Sequence, residues 1–402
     1  MPAQTPAQTP AQTQAHTPAQ PETPLTTPSS NRQELDPTQS TEPLKPETAP
    51  ASAAMPSARR ERKPEDPYIT QRLDELITHV GGKPDSVESR IVKDLLSSAV
   101  KLTIDQRNTG ELKLIAAAVK ELRYAFNVFG KYPEPHKVSI FGSARTPKDH
   151  PDYIATVEFG KLMAEAGWMI ITGAGGGIME AGHVGPGREQ SFGVAIRLPF
   201  ETTANEVIAG DQKLIHFRYF FTRKLMFISQ SEAVALFPGG FGTFDEAFEA
   251  LTLIQTGKAS MVPIILCEGA GGGYWAAWDH FIRTQLGARR LISPDDTALY
   301  YLAKDPADAV RHIVQFYRNY HSSRYVKDDL VIRVQRRLSD TALDTLNTEF
   351  KSLVKTGIIR HAPPLEGEED HLHLPRLVFH HTRRDFGLVR KLIDRVNDLD
   401  GK

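Results

Sequence analysis

From Lys137 onward, short apolar runs alternate with amphipathic ones. The apolar runs at 138–141, 168–172, 193–198, 233–237 and 262–266 have the length of buried strands. Between and after them, residues 153–165, 178–183, 217–229, 243–256, 275–286 and 307–317 repeat their apolar positions at helical spacing. Strand and helix in alternation predict a parallel sheet with helices on both faces. The fold class expected is therefore α/β, a Rossmann-like doubly wound parallel sheet. Ligands of such sheets bind beyond the carboxyl ends of the strands.

The pattern changes at both ends of this stretch. Upstream it is helical. Asp85 and Glu88 read as a capping box ahead of Val87, Ile91, Leu95 and Leu96. Leu112, Ile115, Val119, Leu122 and Phe126 fall on one helix face, ready to pack on the core or on another subunit. Downstream, residues 330–334, 357–359 and 377–379 read as strands and 341–354 and 388–396 as helices, with an acidic turn at 366–370. The expected domains are a disordered tail (1–65), a helical segment (66–131), the Rossmann-like core (132–321) and a small C-terminal α+β appendage (322–402). The tail holds nearly half of the chain's prolines and no aromatic residue, too little apolar surface to offset the entropy of ordering it.

At 402 residues the chain has room for two or three folded units. A net charge of −1, with both signs mixed throughout, argues against nucleic acid or anionic membrane as a partner. No apolar run reaches the roughly 18 residues a bilayer span needs, and no signal peptide is evident. The single cysteine, Cys267, excludes an internal disulfide and thiolate zinc sites. It reads as a buried strand thiol, and a cytoplasmic location is expected. His371, His373, His380 and His381 lack a further ligand at metal spacing and read as surface or packing residues, so no metal is expected.

The candidate chemistry lies at 238–246, which read Pro, Gly, Gly, Phe, Gly, Thr, Phe, Asp, Glu. An apolar run ends in this loop and a helix follows it. Glycines allow close approach of the backbone, and the free N–H groups of a first helical turn attract phosphate. Thr243 and Glu246 also fit a capping box, a reading with no chemistry in it. A second turn, 173–177, fails the G-x-G-x-x-G register from Gly173 and from Gly175, and no acidic residue follows to hold an NAD ribose. A dehydrogenase is rejected, and no P-loop motif is present. Arg223 and Lys224 interrupt an aromatic-rich helix, where an arginine can hold phosphate or ribose oxygens.

The signature Pro-Gly-Gly-x-Gly-Thr-x-x-Glu closely resembles that of the Lonely Guy family, often labelled "lysine decarboxylase-like". The resemblance runs from about Lys137 to Tyr317. It includes 140–145 (Ile, Phe, Gly, Ser, Ala, Arg), 171–173 (Ile, Thr, Gly), 178–181 (Ile, Met, Glu, Ala) and the Arg223–Lys224 pair. It implies hydrolysis of the N-glycosidic bond of nucleoside 5′-monophosphates to free base and ribose 5-phosphate, with AMP or a cytokinin-type N6-modified AMP favoured. On that reading Glu246 and Arg223 are catalytic. Gly239, Gly240, Gly242, Thr243, Ser143, Gly173, Gly175, Lys224, Glu180 and Asp245 bind substrate or its phosphate. No cofactor is needed, and a homodimer or higher homo-oligomer is implied. The chain departs from the family at Ala174, Gly176, Gly182 and His183, which bears on base specificity. Two other readings stay open: a nucleotide or phosphorylated-cofactor carrier or sensor without turnover, and a scaffold whose terminal segments recruit partners. No local signature for pyridoxal-phosphate chemistry is present.

Overall fold

The computed structural model describes residues 66–134, 136–197 and 204–399. The expected disordered tail lies outside them, as does Leu198 at the end of the third expected strand. The described residues fall into two units that divide after Gly81. In the first, helix α1 (Pro67–His79) starts at Asp66, whose carboxylate accepts the N–H of Tyr68, and it buries Leu73 and Ile77.

The second unit opens with helices α2 (Val87–Lys101) and α3 (Thr109–Phe129). Ser86, not Asp85, caps α2, its hydroxyl accepting from the N–H of Ser89. Asn108 and Glu111 form a reciprocal capping box at the start of α3. A seven-stranded sheet follows: β1 (Lys137–Phe141), β2 (Met169–Thr172), β3 (Ser191–Ile196), β4 (Leu214–Phe217), β5 (Ala233–Leu236), β6 (Ile264–Leu266) and β7 (Tyr300–Leu302). Its spatial order is β4-β3-β2-β1-β5-β6-β7, and every pairing is parallel. The five expected strands are all present. The two edge strands, β4 and β7, were not anticipated.

Helices α4 (Pro151–Glu165), α5 (Ile178–Val184), α6 (Phe220–Ser229), α7 (Phe241–Gln255), α8 (Tyr274–Phe281) and α9 (Pro306–Phe316) connect the strands. The helix expected at 217–229 begins only at Phe220, because Phe217 is the last residue of β4. The one expected at 275–286 gives way after Phe281 to a π-turn at Ile282–Gly287. Every residue of β1, β2 and β5 is buried, as a parallel sheet covered on both sides requires. On one face Val138, Ile140 and Ile170 pack with Phe159 and Met163 of α4 and Ile313 of α9. On the other Phe141, Ile171 and Leu236 pack with Phe129, Met226, Phe227, Ala247 and Trp275.

A second, antiparallel sheet has the order β10-β11-β9-β8, from β8 (Tyr320–Val326), β9 (Asp329–Val334), β10 (Val354–Ala362) and β11 (Arg376–His381). Helices α10 (Asp340–Glu349) and α11 (Phe386–Leu399) accompany it. The expected helix 341–354 stops at Glu349, and Val354 already belongs to β10. Leu330, Ile332, Leu377, Phe379, Leu392 and Ile393 join the same apolar cluster as Leu236 and Trp275. Each such side chain contributes about 2 kcal/mol by leaving water. The two sheets thus share one core. Cys267, directly after β6, is buried, and that burial pushes its thiol up to about 12.

The apolar stripe of α3 is a separate finding. The helix turns Ala118, Ala125, Val128 and Phe129 inward. Ile115, Val119 and Phe126 remain 38%, 41% and 48% exposed.

Candidate active site

The chain runs β1 to β4 in one direction and then returns to place β5 on the opposite side of β1. A crevice opens at such a reversal, beyond the carboxyl ends of the two strands. The loops that meet there are Gly142–Ser143 after β1 and Pro238–Gly240 after β5. The Ser143 N–H donates to the Pro238 carbonyl at 3.1 Å, which ties them together. A Cβ on Gly239 would collide with Thr243 Oγ1 and crowd the Ser143 nitrogen. Glycine is therefore required at 239 by close approach.

Helix α7 begins at Phe241 with Gly240 as its N-cap, and no side chain caps it. Thr243 is the third helical residue and Glu246 the sixth, so the capping-box reading of that pair does not hold. The N–H groups of Phe241 and Gly242 have no carbonyl one turn back, as at any helix start. Both residues are exposed. Phe241 projects from the loop almost fully exposed. Tyr274 steadies the loop from behind: its hydroxyl donates to the Gly239 carbonyl at 2.5 Å and its ring stacks 5.9 Å from Phe244.

One and a half turns into α7, Glu246 is half-buried, and its buried Oε2 has no hydrogen-bond partner. Desolvation raises its carboxyl above the usual glutamate range, against the pull of Lys224 and Arg223. Lys224 Nζ lies 3.5 Å from that oxygen while it holds Asp245 at 2.7 Å and Glu249 at 2.8 Å. Burial alone would lower Lys224, but the hydrogen bonds it donates to Asp245 and Glu249 outweigh it and keep the ammonium charged. A Schiff-base lysine must shed its proton, and three carboxylates around Lys224 oppose that.

Arg223 precedes Lys224 on α6 and takes the other side of the cleft. Its Nε donates to the Val194 carbonyl at 2.9 Å, and the guanidinium lies 5.2 Å from the centre of the Phe227 ring. A Cβ on Gly173 would strike the Arg223 guanidinium and the Met179 sulfur. The turn after β2 therefore needs glycine so that Arg223 can lie across it.

The turn itself is held by a buried network. His183 Nε2 lies 3.0 Å from both Thr172 Oγ1 and the Phe192 carbonyl, and its Nδ1 lies 3.1 Å from Asn205 Nδ2. Assigned from these partners, Nε2 carries the proton and Nδ1 accepts. Burial pulls this imidazole down to about 4. Asn205 also donates to the Gly175 carbonyl at 3.1 Å, and Thr172 Oγ1 accepts the Ala174 N–H at 3.1 Å. Ala174 is thereby fixed at φ +64°, a left-handed conformation that an alanine adopts only under constraint. His183, a departure noted in the sequence, is thus part of the turn's support.

Among the expected residues, Gly239, Gly240, Gly242, Thr243, Asp245 and Glu246 share the loop and first turns of α7, with Arg223 and Lys224 facing them. Ser143 and Gly173 border the same cleft. The Ser143 hydroxyl accepts the Arg145 N–H at 3.1 Å, so it shapes its own turn. Glu180 is engaged by Lys148 at 2.8 Å. Gly175 offers its carbonyl to Asn205. Tyr274, Glu249, Asn205 and Lys148 were not anticipated. Only Glu249 had a sequence signal, since it follows Asp245 by four residues on one helix face.

Fold and cleft together define a doubly wound α/β protein with a phosphate-type loop, a half-buried carboxylate and an arginine at the switch point. Residues 175–313 match the family model described as "Possible lysine decarboxylase", and the Lonely Guy-like resemblance is shown over this segment, which holds the whole 238–246 signature. No curated protein matches the chain. Among solved structures, the molybdenum cofactor carrier protein from Chlamydomonas reinhardtii is 21% identical, covering 45% of this chain and 98% of its own, with a TM-score of 0.32. The molybdenum cofactor binding protein from Rippkaea orientalis is 20% identical over 45% and 97%, with a TM-score of 0.32. DNA processing protein A from Helicobacter pylori is 11% identical over 47% and 83%, also with a TM-score of 0.32. Among the described residues no helix is long and apolar enough to cross a membrane.

Proposed function

We propose that the protein hydrolyses the N-glycosidic bond of nucleoside 5′-monophosphates, AMP or an N6-modified AMP foremost, to free base and ribose 5-phosphate. The carrying observation is Glu246: a buried carboxylate oxygen with no hydrogen-bond partner, one and a half turns from a glycine loop suited to phosphate. A loop that only carried a nucleotide would have no use for a desolvated carboxylate beside it. The family match supports a function on a nucleotide or a related phosphorylated small molecule.

On this reading the N–H groups around Gly240, Phe241 and Gly242 hold the 5′-phosphate, with Thr243 beside them. The anchored phosphate orients the ribose, which accounts for a preference for monophosphates over nucleosides. Breaking the C1′–N bond leaves positive charge on the ribose ring. Glu246 meets that charge and takes a proton from the attacking water, while the departing base accepts a proton from solvent and Glu246 returns its own to solvent afterwards. Arg223 positions the nucleotide, and the charge of Lys224 moderates the proton affinity that burial gives Glu246. Asp245 and Glu249 hold Lys224 in place. We further propose that the uncovered stripe of α3 packs against a second copy, giving a homo-oligomer.

The test is chromatography of a panel of nucleoside 5′-monophosphates and the matching nucleosides after incubation with the protein. Base and ribose 5-phosphate in equal amounts, from monophosphates alone, are expected. Release from nucleosides at the same rate would remove the phosphate-anchoring argument.

A further inference from the structure

Glu121 stands on the inward face of α3, at helical spacing from the buried Ala118 and Ala125. A carboxylate at such a position needs polar partners. It finds them at the start of α6, where Oε1 accepts the Arg218 N–H at 2.8 Å and Oε2 accepts the Thr222 hydroxyl at 2.7 Å. Thr222 is fully buried, and its hydroxyl also lies 2.9 Å from the Tyr219 carbonyl.

The first turn of α6 has little else to hold it. Its N-cap, Tyr219, makes no side-chain capping bond. The N–H groups at a helix start lack carbonyl partners and carry partial positive charge, which a carboxylate satisfies. Phe220 and Phe221 are 57% and 52% exposed, so burial does not anchor the turn through them. Met226 and Phe227, which do reach the core, come a turn later. Arg223 and Lys224 directly follow Thr222. The Arg223 Nε–H meets the Val194 carbonyl at 2.9 Å, and Lys224 Nζ stands 3.5 Å from Glu246 Oε2. Both contacts depend on where this turn sits, and a misplacement of about 1 Å in a site is enough to cost most of its rate. Glu121 lies ahead of the 175–313 segment that the family model matches, so the tie belongs to the helical segment in front of the core.

We propose that Glu121 is a positioning residue: its carboxylate ties the first turn of α6 to α3 and so places Arg223 across the turn after β2 and Lys224 beside Glu246. The inference rests on the reading of Arg223 as the residue that positions the nucleotide. Glutamine at 121 keeps the tie without the charge. Its amide oxygen accepts the Arg218 N–H, and its amide nitrogen donates to Thr222 Oγ1, whose own proton turns to the Tyr219 carbonyl. Alanine keeps neither bond. The two variants therefore separate a hydrogen-bonded tie from a general effect of charge.

The experiment is calorimetric titration of the full chain with AMP, every protein carrying Glu246→Gln so that the nucleotide stays intact. Glu121→Ala, Glu121→Gln, Arg223→Ala and the pair Glu121→Ala/Arg223→Ala are compared with this parent, and thermal unfolding of each is followed alongside. Expected are a loss of affinity of about tenfold or more in Glu121→Ala, a change within about twofold in Glu121→Gln, and almost no further loss when Glu121→Ala is added to Arg223→Ala. A purely structural role would lower the melting temperature and leave the two substitutions additive. Thr222→Val, which cuts only the second bond, replaces Glu121→Ala if that variant does not fold, and is expected to lose affinity in the parent and not on top of Arg223→Ala. Unchanged affinity in the variant that cuts the tie, an equal loss in Glu121→Gln, additive losses with Arg223→Ala, or no AMP binding by the parent overturns the proposal. Turnover is read separately: a wild type that binds AMP and releases no base refutes the hydrolase reading and leaves this one standing.

Discussion

Lys224 Nζ stands 3.5 Å from Glu246 Oε2, a buried carboxylate oxygen without a hydrogen-bond partner. The contact is ionic and lacks the geometry of a hydrogen bond, so Lys224 stabilises the charged glutamate without occupying its lone pairs. Burial works in the opposite direction and prevails, and the carboxyl titrates above its ordinary range. The desolvation that raises its proton affinity is what suits this carboxylate to take a proton.

Replacing Lys224 by Met removes the strongest of the pulls that lower the Glu246 carboxyl. The acid limb of kcat/KM reports Glu246 in the free enzyme. In the wild type that limb falls above the usual glutamate value, and in Lys224→Met it moves further up. A pH–rate profile of both proteins checks this. A limb that stays put in the variant would separate Lys224 from Glu246.

Gly239→Ala places a methyl group against Thr243 Oγ1 and the Ser143 nitrogen, which displaces the loop. KM for AMP is expected to rise about tenfold or more, since phosphate binding is shared by ground and transition states. Thermal unfolding of the variant, followed alongside, separates a shifted loop from a misfolded protein. An unchanged KM would place the phosphate elsewhere.

His183 is neutral in the fold, with its value pulled down to about 4 from the ordinary 6.5. The unfolded chain therefore binds a proton that the folded chain refuses. Stability is full above about pH 6.5 and is lost as pH falls towards about 4, by about 3 kcal/mol from this residue. His312, His321 and His381 are also pulled down to about 4 and steepen the same slope. In His183→Asn the slope of urea-unfolding free energy against pH should flatten by about one proton in that window. A slope identical to the wild type would mean that His183 is not buried neutral.

Ile115, Val119 and Phe126 form an uncovered stripe on α3. Ile115→Glu with Phe126→Glu should lower the molar mass seen by light scattering to that of one chain, because burying two unpaired carboxylates in an interface costs several kcal/mol. An unchanged mass would clear α3 of any role in assembly.

Much of this was legible in the chain because the signals were local. The five central strands are short apolar runs, and the 238–246 loop announces its strand–loop–helix setting by its glycines. Leu214–Phe217 was hidden because it has four residues and merges with the aromatic pattern that continues into α6. Tyr300–Leu302 has only three residues. Thr243 mimicked a helix cap, whereas the helix had already begun at Phe241, with the cap left to a glycine. On α3 the stripe is split: Leu122 packs on the core, but the neighbouring face with Ala118 and Ala125 goes deeper, leaving Ile115, Val119 and Phe126 partly exposed. Tyr274 on Gly239 and Asn205 on Gly175 join residues 35 and 30 positions apart, a relation no local pattern encodes.

The most direct measurement compares AMP turnover and AMP affinity in the wild type and in Glu246→Gln. The account predicts that the wild type releases adenine and ribose 5-phosphate, that kcat in the variant falls by about a hundredfold or more, and that the AMP dissociation constant changes little. A wild type that binds AMP tightly and releases no base would contradict it, leaving a nucleotide carrier in place of a hydrolase.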